Sequence, residues 1–309
     1  MKVVLDMDPG IDDAMALLLT LNNSRLEILA VTTVSGNVNV DKATLNALKI
    51  IEAAGGRCGQ APVYRGAGRP LNKRRHPVYS EDIHGRNGLG NVDPSPRLRA
   101  KEEKTSAVDK LVELLSSHKK KEISIVATGP LTNIAMLLQR EPSAAKKLNQ
   151  LYIMGGIYDN GLTKGNVTKH AEFNFFCDPE AAKIVIDNAE RKGLSIIASG
   201  LDITSTSACA IRNDELGMIC SIRSKIADIA CKILQYPLRN YSFFNLHDVF
   251  ALFSLLYPEI FRTQRCRVRV YTSGRHRGKC VVSYGNGNVQ VNRQVNSVRF
   301  NKYLLDGLA

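Results

Sequence analysis

The chain lacks long apolar runs, closely spaced cysteine pairs and internal repeats, and each absence narrows what it can be. No apolar stretch approaches the roughly 20 residues that a membrane-spanning helix needs. The N-terminal segment reads MKVVLDMDPG, where acidic residues follow a very short apolar run, so we expect no secretory signal. These absences predict a cytoplasmic protein with no membrane partner.

Seven cysteines are scattered through the chain, and no two of them form a C-x-x-C pair. They stand at positions 58, 177, 209, 220, 231, 266 and 280. Without such pairs a zinc or iron–sulfur site is not expected. An odd number of cysteines in a cytoplasmic chain favours mostly free, buried thiols, although counting leaves open one or two disulfides.

Acidic residues are scarce relative to basic ones, and the formal net charge is +13. Much of the excess lies in residues 57–104 and in residues 262–302, and the second segment contains no acidic residue. One interpretation is a solvated basic surface that faces an acidic patch of a neighbouring subunit. The other is a binding surface for RNA or another polyanion, although no nucleic-acid motif supports it.

Apolar segments typical of strands alternate with helical segments along most of the 309 residues. The first are a strand at Val3-Val4-Leu5, a helix over 14–21, a strand over 28–34 and a helix over 43–54. Further strands are predicted at 123–127, 151–154 and 194–198. Asp178 and Pro179 suit the N-cap and first position of another helix.

This alternation predicts an α/β fold with an open, mostly parallel central sheet flanked by helices. No linker separates independent units, so we expect a single domain over residues 1–309. Residues 65–105 are expected to form a long irregular excursion, which in compact domains is usually functional or mobile. Nearly every predicted strand ends in Gly, Thr, Asp or Asn, and ligands bind at the carboxyl ends of strands in such sheets.

Four carboxylates, Asp6, Asp8, Asp12 and Asp13, fall within eight residues after the first strand. Carboxylates so close repel one another unless a cation lies among them, and oxygen-only ligands favour Ca²⁺ or Mg²⁺. An EF-hand is excluded, since its sixth position must be Gly and counting from Asp6 gives Ile11. Adjacent helical side chains point about 100° apart, so Asp12 and Asp13 can serve different tasks.

The segment from Asp6 to Ala14, DMDPGIDDA, resembles the fingerprint of the inosine–uridine nucleoside hydrolase family. Other segments match that family's pattern in order: residues 33–37 (TVSGN), 83–88 (IHGRNG), 127–133 (ATGPLTN), 153–156 (IMGG), 165–166 (GN), 171–174 (AEFN), 178–182 (DPEAA), 200–204 (GLDIT) and 247–248 (HD). The matches span residues 3 to 250, so a chance likeness is very improbable. The resemblance implies a Rossmann-like nucleoside hydrolase fold and hydrolysis of ribonucleosides to free base and ribose.

The resemblance also implies one Ca²⁺ ion at the bottom of the active site. Its ligands would be Asp8, Asp13, Asp248 and the backbone carbonyl of Thr128, which together suit a hard cation. Asp6 would support these ligands through hydrogen bonds, although a purely structural role is equally open.

Six side chains are implied to contact the sugar or the attacking water: Asp12, Asn37, Met154, Asn166, Glu172 and Asn174. Asn174 would also be catalytic, together with Asp8 and His247. Asp8 would take the proton from the attacking water. His247 would donate a proton to the leaving base, because an imidazole with a near-neutral pKa suits that task.

The base pocket is less defined. His84 would lie in a loop that closes over the base, and Gln235, Tyr236 or Tyr241 could line the pocket. In one purine-specific branch of the family the base is stacked between tryptophans, and this chain has no Trp. The absence favours a pyrimidine or mixed inosine/uridine preference.

Two rival functions stay open at this stage, and the resemblance leaves the assembly as a homodimer or a homotetramer. One rival is a Mg²⁺-dependent phosphohydrolase with Asp6 as nucleophile, similar to the Asp-x-Asp start of haloacid-dehalogenase-like phosphatases. That pattern expects Thr or Ser soon after the second Asp, whereas Pro9 and Gly10 follow Asp8 here. The other rival is a non-catalytic protein that binds nucleosides or RNA.

Overall fold

The computed structural model describes residues 1–55 and 60–309. Cys58 and the first residues of the basic segment 57–104 lie outside the described residues. Nine strands form one sheet: β1 (Lys2–Met7), β2 (Glu27–Thr33), β3 (Val63–Arg65), β4 (Ile123–Ala127), β5 (Leu151–Met154), β6 (Ile196–Ser199), β7 (Phe261–Val270), β8 (Cys280–Tyr284) and β9 (Val289–Val295).

The strand order is β3-β2-β1-β4-β5-β6-β9-β7-β8. Every pair from β3 to β9 is parallel. Only β7 runs the other way, antiparallel to both β9 and β8. The predicted α/β class with an open, mostly parallel sheet is therefore confirmed.

Helices cover both faces of the sheet. They are α1 (Ile11–Leu21), α2 (Val40–Ala54), α3 (Glu81–His84), α4 (Ala107–Ser117), α5 (Thr132–Arg140), α6 (Ala144–Lys147), α7 (Phe173–Cys177), α8 (Pro179–Lys192), α9 (Leu201–Thr204), α10 (Asn213–Ser221), α11 (Lys225–Asn240), α12 (His247–Leu256) and α13 (Ser297–Leu308). None of the helices among the described residues has the length and hydropathy that a membrane span requires.

Strand β1 shows why the sheet is buried on both sides. Val3, Leu5 and Met7 alternate onto one face, in a core that includes α1, α2, α11 and α12. Val4 points to the other face, in a second core that includes α4, α5 and α8. Since successive side chains of a strand point to opposite faces, a fully apolar run is what a strand between two helical layers needs.

The predicted helix start at Asp178 is confirmed, since its Oδ1 accepts a hydrogen bond from the backbone N–H of Ala181 at 3.0 Å. Residues after 260, which carry no recognised motif, add β7 to β9 and α13. Most of the 65–105 excursion is irregular, apart from α3.

The free cysteines at 177, 209, 266 and 280 are buried, as the odd count suggested. A disulfide joins Cys220 of α10 to Cys231 of α11, which settles one pairing that counting had left open.

The direction of chain progression reverses at β1. From there the chain adds β2 and β3 on one side and β4 and β5 on the other. The carboxyl ends of β1 and β4 therefore flank a crevice, and α/β proteins bind ligands at such switch points. This position sets the residues that follow β1, β2, β4 and β5 around one cavity.

Candidate active site

A cavity of about 300 Å³ opens at the carboxyl ends of these strands. That volume lies at the lower end of the range for small-molecule sites. Eighteen residues line it: Asp12, Asn37, Ser80, Ile83, His84, Thr128, Met154, Asn166, Val167, Glu172, Phe173, Asn174, Tyr241, Phe243, Phe244, Asn245, His247 and Asp248.

The connection from β1 to α1 places carboxylates at and beneath the floor of this cavity: Asp12 lines it, whereas Asp8 and Asp13 are fully buried and do not line it. Asp8 follows the strand directly, and Asp12 and Asp13 lie in the first turn of α1, where the helix dipole favours negative charge. The carboxylate of Asp13 also accepts a hydrogen bond from the backbone N–H of Gly10 at 3.0 Å. Asp248 arrives from the first turn of α12, so two helix N-termini converge on the same point.

These four side chains, here called the acidic floor (Asp8, Asp12, Asp13 and Asp248), form a candidate metal centre. One carboxylate oxygen each from Asp12, Asp13 and Asp248 can be chosen so that all lie within 4.8 Å of one another. Asp8 Oδ1 and Asp12 Oδ1 are buried without a hydrogen-bond partner in the described part of the chain. Buried polar atoms normally have partners, so these two oxygens fit a missing cation, and an all-oxygen set fits a hard one.

The predicted metal ligands are brought together here, with one difference. Asp12, which was predicted to hold the sugar, stands in the tight trio where Asp8 was expected. The Thr128 side chain donates to Asp13 Oδ1 at 2.7 Å, while its carbonyl accepts from Asn174 Nδ2 at 2.7 Å. Thr128 thereby connects the acidic floor to the predicted sugar-binding side chains.

Burial and mutual repulsion dominate the electrostatics of the acidic floor. Burial, followed by the charge of Asp13, raises the pKa of Asp8 well above its ordinary value. Burial and the charges of Asp12 and Asp13 do the same to the pKa of Asp248. The pKa of Asp12 is raised to about 7, first by burial. A bound divalent cation would lower these pKa values, because it favours the ionised carboxylates.

Asn37 orients two of these carboxylates at once. Its backbone N–H donates to Asp8 Oδ2 at 2.5 Å, and its side-chain amide donates to Asp13 Oδ2 at 3.1 Å. Ser80 Oγ in turn donates to Asn37 Oδ1 at 2.7 Å, which fixes the orientation of the amide. Asn37 was predicted to lie near the attacking water; the structure adds a role in positioning the floor.

Two glycines enclose Asp8. A Cβ at Gly36 would overlap Asp8 Oδ2, and a Cβ at Gly129 would lie 2.6 Å from Asp8 Oδ1. Both positions follow strands, β2 and β4 respectively, that flank β1. Asp8 therefore fits only because its two neighbours have no side chain.

Asp6 does not line the cavity. Its Oδ1 accepts hydrogen bonds from Thr32 Oγ1 at 2.6 Å and Asn133 Nδ2 at 2.7 Å. Burial raises its pKa to about 6. Its contacts match the supporting role, and Asp6, the nucleophile of the phosphohydrolase alternative, is not among the residues that line the cavity.

The predicted sugar-binding side chains line one wall of the cavity. Glu172 caps α7: Oε1 accepts from the backbone N–H of Asn174 at 2.6 Å, and Oε2 accepts from those of Gly156 at 2.8 Å and Phe175 at 3.0 Å. Asn174 Nδ2 also donates to the Met154 carbonyl at 3.2 Å. Burial raises the pKa of Glu172 to about 7.

Asn166 lies apart from this buried network. It sits on an exposed loop at the mouth of the cavity.

His84 closes the cavity from the long excursion. Its Nδ1 accepts a hydrogen bond from the backbone N–H of Ile11, at the start of α1, at 3.0 Å. The ring proton must therefore reside on Nε2. Burial lowers the pKa of His84 to about 3, so it is a neutral hydrogen-bond donor. Its ring meets that of Phe244 edge-on, with 6.3 Å between ring centres.

His247 also lines the cavity, but its pKa differs from the predicted near-neutral value. Burial lowers the pKa of His247 to about 4, so the imidazole is neutral at pH 7. Its Nδ1 shares a hydrogen bond with Thr204 Oγ1 at 2.7 Å. The sequence placed this residue correctly beside Asp248, yet burial could not be read from that adjacency.

Of the three candidates for the base pocket, one lines the cavity and two do not. Tyr241 lines the cavity. Tyr236 instead packs against Gly90, and Gln235 Nε2 donates to Cys231 Sγ at 3.5 Å, so neither of these two lines it.

Phe243 and Phe244, which were not among the residues predicted from the sequence, complete an aromatic rim. The sequence did carry a signal for them, since Tyr241, Phe243 and Phe244 lie three to six residues before His247.

Comparisons with known proteins agree with this geometry. The family model described as inosine-uridine preferring nucleoside hydrolase matches residues 3–302. Uridine nucleosidase 1 of Arabidopsis thaliana is 37% identical over 281 residues, covering 88% of this chain and 79% of that protein. The inosine-uridine preferring nucleoside hydrolase of Leishmania major is 36% identical over 278 residues, with 88% and 84% covered.

Two solved structures superpose closely on the whole fold. A plant nucleoside hydrolase matches with a TM-score of 0.88 at 30% identity, covering 99% of this chain and 98% of that one. A purine-preferring ribonucleoside hydrolase from Gardnerella vaginalis matches with a TM-score of 0.90 at 27% identity, covering 100% and 98%.

Proposed function

Because the chain belongs to the inosine-uridine preferring nucleoside hydrolase family, we propose that its cavity performs calcium-dependent cleavage of ribonucleosides with a pyrimidine or mixed inosine/uridine preference. The reaction class itself follows from the family: the enzyme hydrolyses the N-glycosyl bond of ribonucleosides. The observation that carries the proposal is the acidic floor beneath an aromatic rim, with two orphaned carboxylate oxygens.

Asp8, Asp13, Asp248 and the Thr128 carbonyl would hold the ion, with Asp12 adjacent. When bound, Ca²⁺ would supply ligation of the ribose hydroxyls and acidification of a water. The larger, flexible coordination of Ca²⁺ suits a site with four carboxylates better than the strict octahedron of Mg²⁺.

Asp8 is the proposed general base. Its Oδ2 is occupied by the Asn37 N–H, whereas its Oδ1 has no partner among the described residues, so the oxygen that would contact the ion would also accept the proton of the adjacent water. The water oxygen then attacks the anomeric carbon as the C–N bond breaks, and the electron pair of that bond leaves with the base.

Positive charge develops on the ribose in the transition state, as in other glycosyl transfers. Asp12, Glu172 and the amide of Asn174 surround the sugar end of the cavity. Because they are buried and already positioned, they stabilise this charge without reorganising.

Two neutral imidazoles face the base end. His84 offers its Nε2–H, because its Nδ1 is held by α1. His247 is proposed to donate its N–H to the leaving base, oriented by the hydrogen bond to Thr204. Since burial keeps the pKa of His247 at about 4, the ring is not a resident acid at pH 7, and any proton it passes on must arrive during the reaction.

The preference for pyrimidine or inosine rests on the rim. Tyr241, Phe243 and Phe244 can stack with a base, and the chain has no Trp. The Arabidopsis relative is named a uridine nucleosidase, and a relative from Shewanella woodyi, 35% identical, is named a pyrimidine-specific ribonucleoside hydrolase. The Gardnerella structure is named purine-preferring, so the rim must be tested on both base classes.

A substrate panel tests the proposal. Uridine, cytidine, inosine, adenosine and guanosine are incubated with Ca²⁺ or with a chelator, and free base is measured by chromatography. We expect uracil or hypoxanthine to be released fastest, and release to stop with the chelator and return with added Ca²⁺. Turnover that survives complete chelation would contradict the calcium dependence, and faster release of adenine or guanine would contradict the base preference.

The cytoplasmic location and the homodimer or homotetramer remain predictions. Sedimentation velocity of the purified protein would determine the number of subunits. Fractionation of the source cells would determine the compartment.

A further inference from the structure

Two turns meet directly behind the wall of the cavity. The first, residues 165–171, turns tightly through backbone hydrogen bonds between Gly165 and Lys169 at 3.2 Å and between Val167 and Ala171 at 3.4 Å. The second, residues 271–279, connects β7 to β8. Gly278 of the second turn packs onto Ala171 and the backbone of Phe176, where a Cβ would lie 2.9 Å away.

Five cationic or ionisable nitrogen side chains collect where these turns meet, and we call them the cation cluster: Lys169, His170, Arg275, His276 and Lys279. The rings of His170 and His276 lie 5.6 Å apart, which joins the two turns. Across residues 1–55 and 60–309, no Asp or Glu comes within ion-pair distance of any of the five. The cluster therefore carries several positive charges without a fixed counter-charge.

Two donors in the second turn are also unsatisfied. Arg275 Nε donates to His276 Nε2 at 3.2 Å, which leaves the ring proton on His276 Nδ1. His276 Nδ1 and Arg277 Nε are both buried and have no hydrogen-bond partner in the described part of the chain. Buried donors normally have partners, so this turn is rich in donors and poor in acceptors.

The position of the cluster relates it to the substrate. Asn166 and Val167 of the first turn line the cavity, and Lys169 and His170 follow two to four residues later. The second turn also contacts α7, which carries Asn174: Arg277 stacks over the Phe176 ring at 4.0 Å and donates to the Cys177 carbonyl at 3.3 Å. The cluster is thus built onto the same segments that hold the proposed sugar side of the site.

A ribonucleoside is neutral and gains nothing from this concentration of charge. We propose that the cation cluster binds a phosphate group, so that phosphate-bearing ligands bind beside the nucleoside cavity. The placement of a nucleotide's sugar in that cavity rests on the proposed function. A phosphate offers several acceptor oxygens and about two negative charges at neutral pH, which matches a set of Arg, Lys and imidazole donors.

The charge environment of His170 supports this. The pKa of His170 is lowered, first by desolvation and then by the charges of neighbouring basic side chains, chiefly Lys279, with Lys169 and Arg275. A bound phosphate would remove that repulsion.

Calorimetry on the calcium-loaded protein tests the proposal with two probes, inorganic phosphate and uridine 5′-monophosphate. Binding is measured for the unaltered chain, for Arg275→Ala and Lys279→Ala, and for Arg265→Ala as a matched control. Arg265 is an exposed arginine on the same hairpin, five residues before the end of β7 and so ~17 Å from the turn. Loss of one charged donor should weaken binding about 5- to 10-fold in the two cluster variants. Binding of both probes to the control variant Arg265→Ala should be unchanged.

Tighter binding of uridine 5′-monophosphate than of inorganic phosphate would support a phosphorylated nucleoside that spans cluster and cavity. Equal binding of the two would support a site for the phosphate group alone. Absence of binding by either probe would overturn the proposal. An equal loss in Arg265→Ala would overturn it as well, because the attraction would then belong to the whole basic surface, as for RNA. Binding is read without turnover, so failure of the proposed calcium-dependent hydrolysis would leave this measurement intact.

Discussion

The acidic floor and the C-terminal hairpin of β7 and β8 carry charge in opposite ways. All four carboxylates of the floor are at most 5% exposed, and those of Asp8 and Asp13 are fixed by hydrogen bonds from Asn37, Gly10 and Thr128. On the hairpin, Arg265, Arg267 and Arg269 alternate with buried residues along β7 and face solvent. One region concentrates negative charge where water is excluded, and the other spreads positive charge where water is plentiful.

Charged side chains in the two regions therefore differ in how strongly they depend on specific partners. A buried, unpaired carboxylate is strongly destabilised and responds with a raised pKa or a bound cation. An exposed arginine is solvated, and its interactions are screened by salt. The floor therefore depends on its partners, whereas single charges on β7 can be lost with little effect.

The largest expected effect comes from neutralising the floor at Asp8. Asp8→Asn keeps the shape and can still accept from the Asn37 N–H, but it removes the general base. We expect kcat to fall by about 10³-fold or more. In the presence of a chelator the same variant should melt at a higher temperature than the unaltered protein, because Asn spares the folded chain the cost of burying or protonating the Asp8 carboxyl.

Kinetics and thermal melts check both halves of that prediction. Asp306→Asn is the matched control, since Asp306 is exposed on α13 and forms an ion pair with Lys302. An Asp8→Asn enzyme that keeps full turnover would remove Asp8 from the mechanism.

A second, smaller effect should follow from Asn37→Ala. This substitution removes the donor that orients the Asp13 carboxylate and the acceptor of Ser80, while the backbone hydrogen bond to Asp8 remains. Supporting residues of this kind usually change metal affinity or activity by about 10- to 100-fold. Calcium titration of the variant measures the loss, and Ser80→Ala should reproduce only a fraction of it.

Removal of the metal should make stability depend on pH. Asp6, Asp12 and Glu172 have pKa values raised to about 6, 7 and 7, so the folded chain binds more protons than the unfolded chain above pH 4. Stability of the chelated protein should then fall as pH rises from 5 to 8, by about 1 kcal/mol for Asp6 alone. His84 and His247 have pKa values lowered to about 3 and 4, so they make stability rise with pH. This opposite effect is confined to pH values below about 6.5, where the histidines of the unfolded chain bind protons.

Melting curves at several pH values, with chelator and with Ca²⁺, check this dependence. The calcium-loaded protein should show a much flatter profile, because the ion holds the carboxylates ionised in the folded state. A chelated protein whose stability rises steadily from pH 6.5 to 8 would contradict the assignment of the buried carboxylates.

The smallest effect is expected on the hairpin. Arg265→Ala and Arg269→Ala should each change the free energy of unfolding by less than about 0.5 kcal/mol, because both side chains are exposed and neither makes an ion pair among the described residues. Chemical denaturation measures this, and uridine kinetics should be unchanged. A loss above 1 kcal/mol in either variant would mean that the hairpin charges are part of the fold's stability.

Much of the site could be predicted because it depends on local chain geometry. Asp8, Thr128 and Met154 stand at strand ends, and parallel strands bring their carboxyl ends to one edge. Asp178 could be placed from its capping role.

Other features arise from contacts between distant segments. The lowered pKa of His247 comes from burial that sequence does not display. The tautomer of His84 depends on a hydrogen bond to Ile11, 73 residues away. The antiparallel pairing of β7 with β9 and the contact between the rings of His170 and His276 are likewise visible only in the folded chain.

The two glycines that enclose Asp8 have a consequence for how this sequence can change over time. Rim residues such as Tyr241 and Phe243 border open space, so substitutions there can retune the choice of base. Gly36 and Gly129 have no such freedom, because even one methyl group at either position would displace Asp8. In a library of random variants selected for turnover, these two positions should return glycine alone, while the rim a few ångströms away accepts many residues. The base preference of this enzyme can therefore change by substitution at the rim, whereas the space around Asp8, its proposed general base, tolerates no substitution.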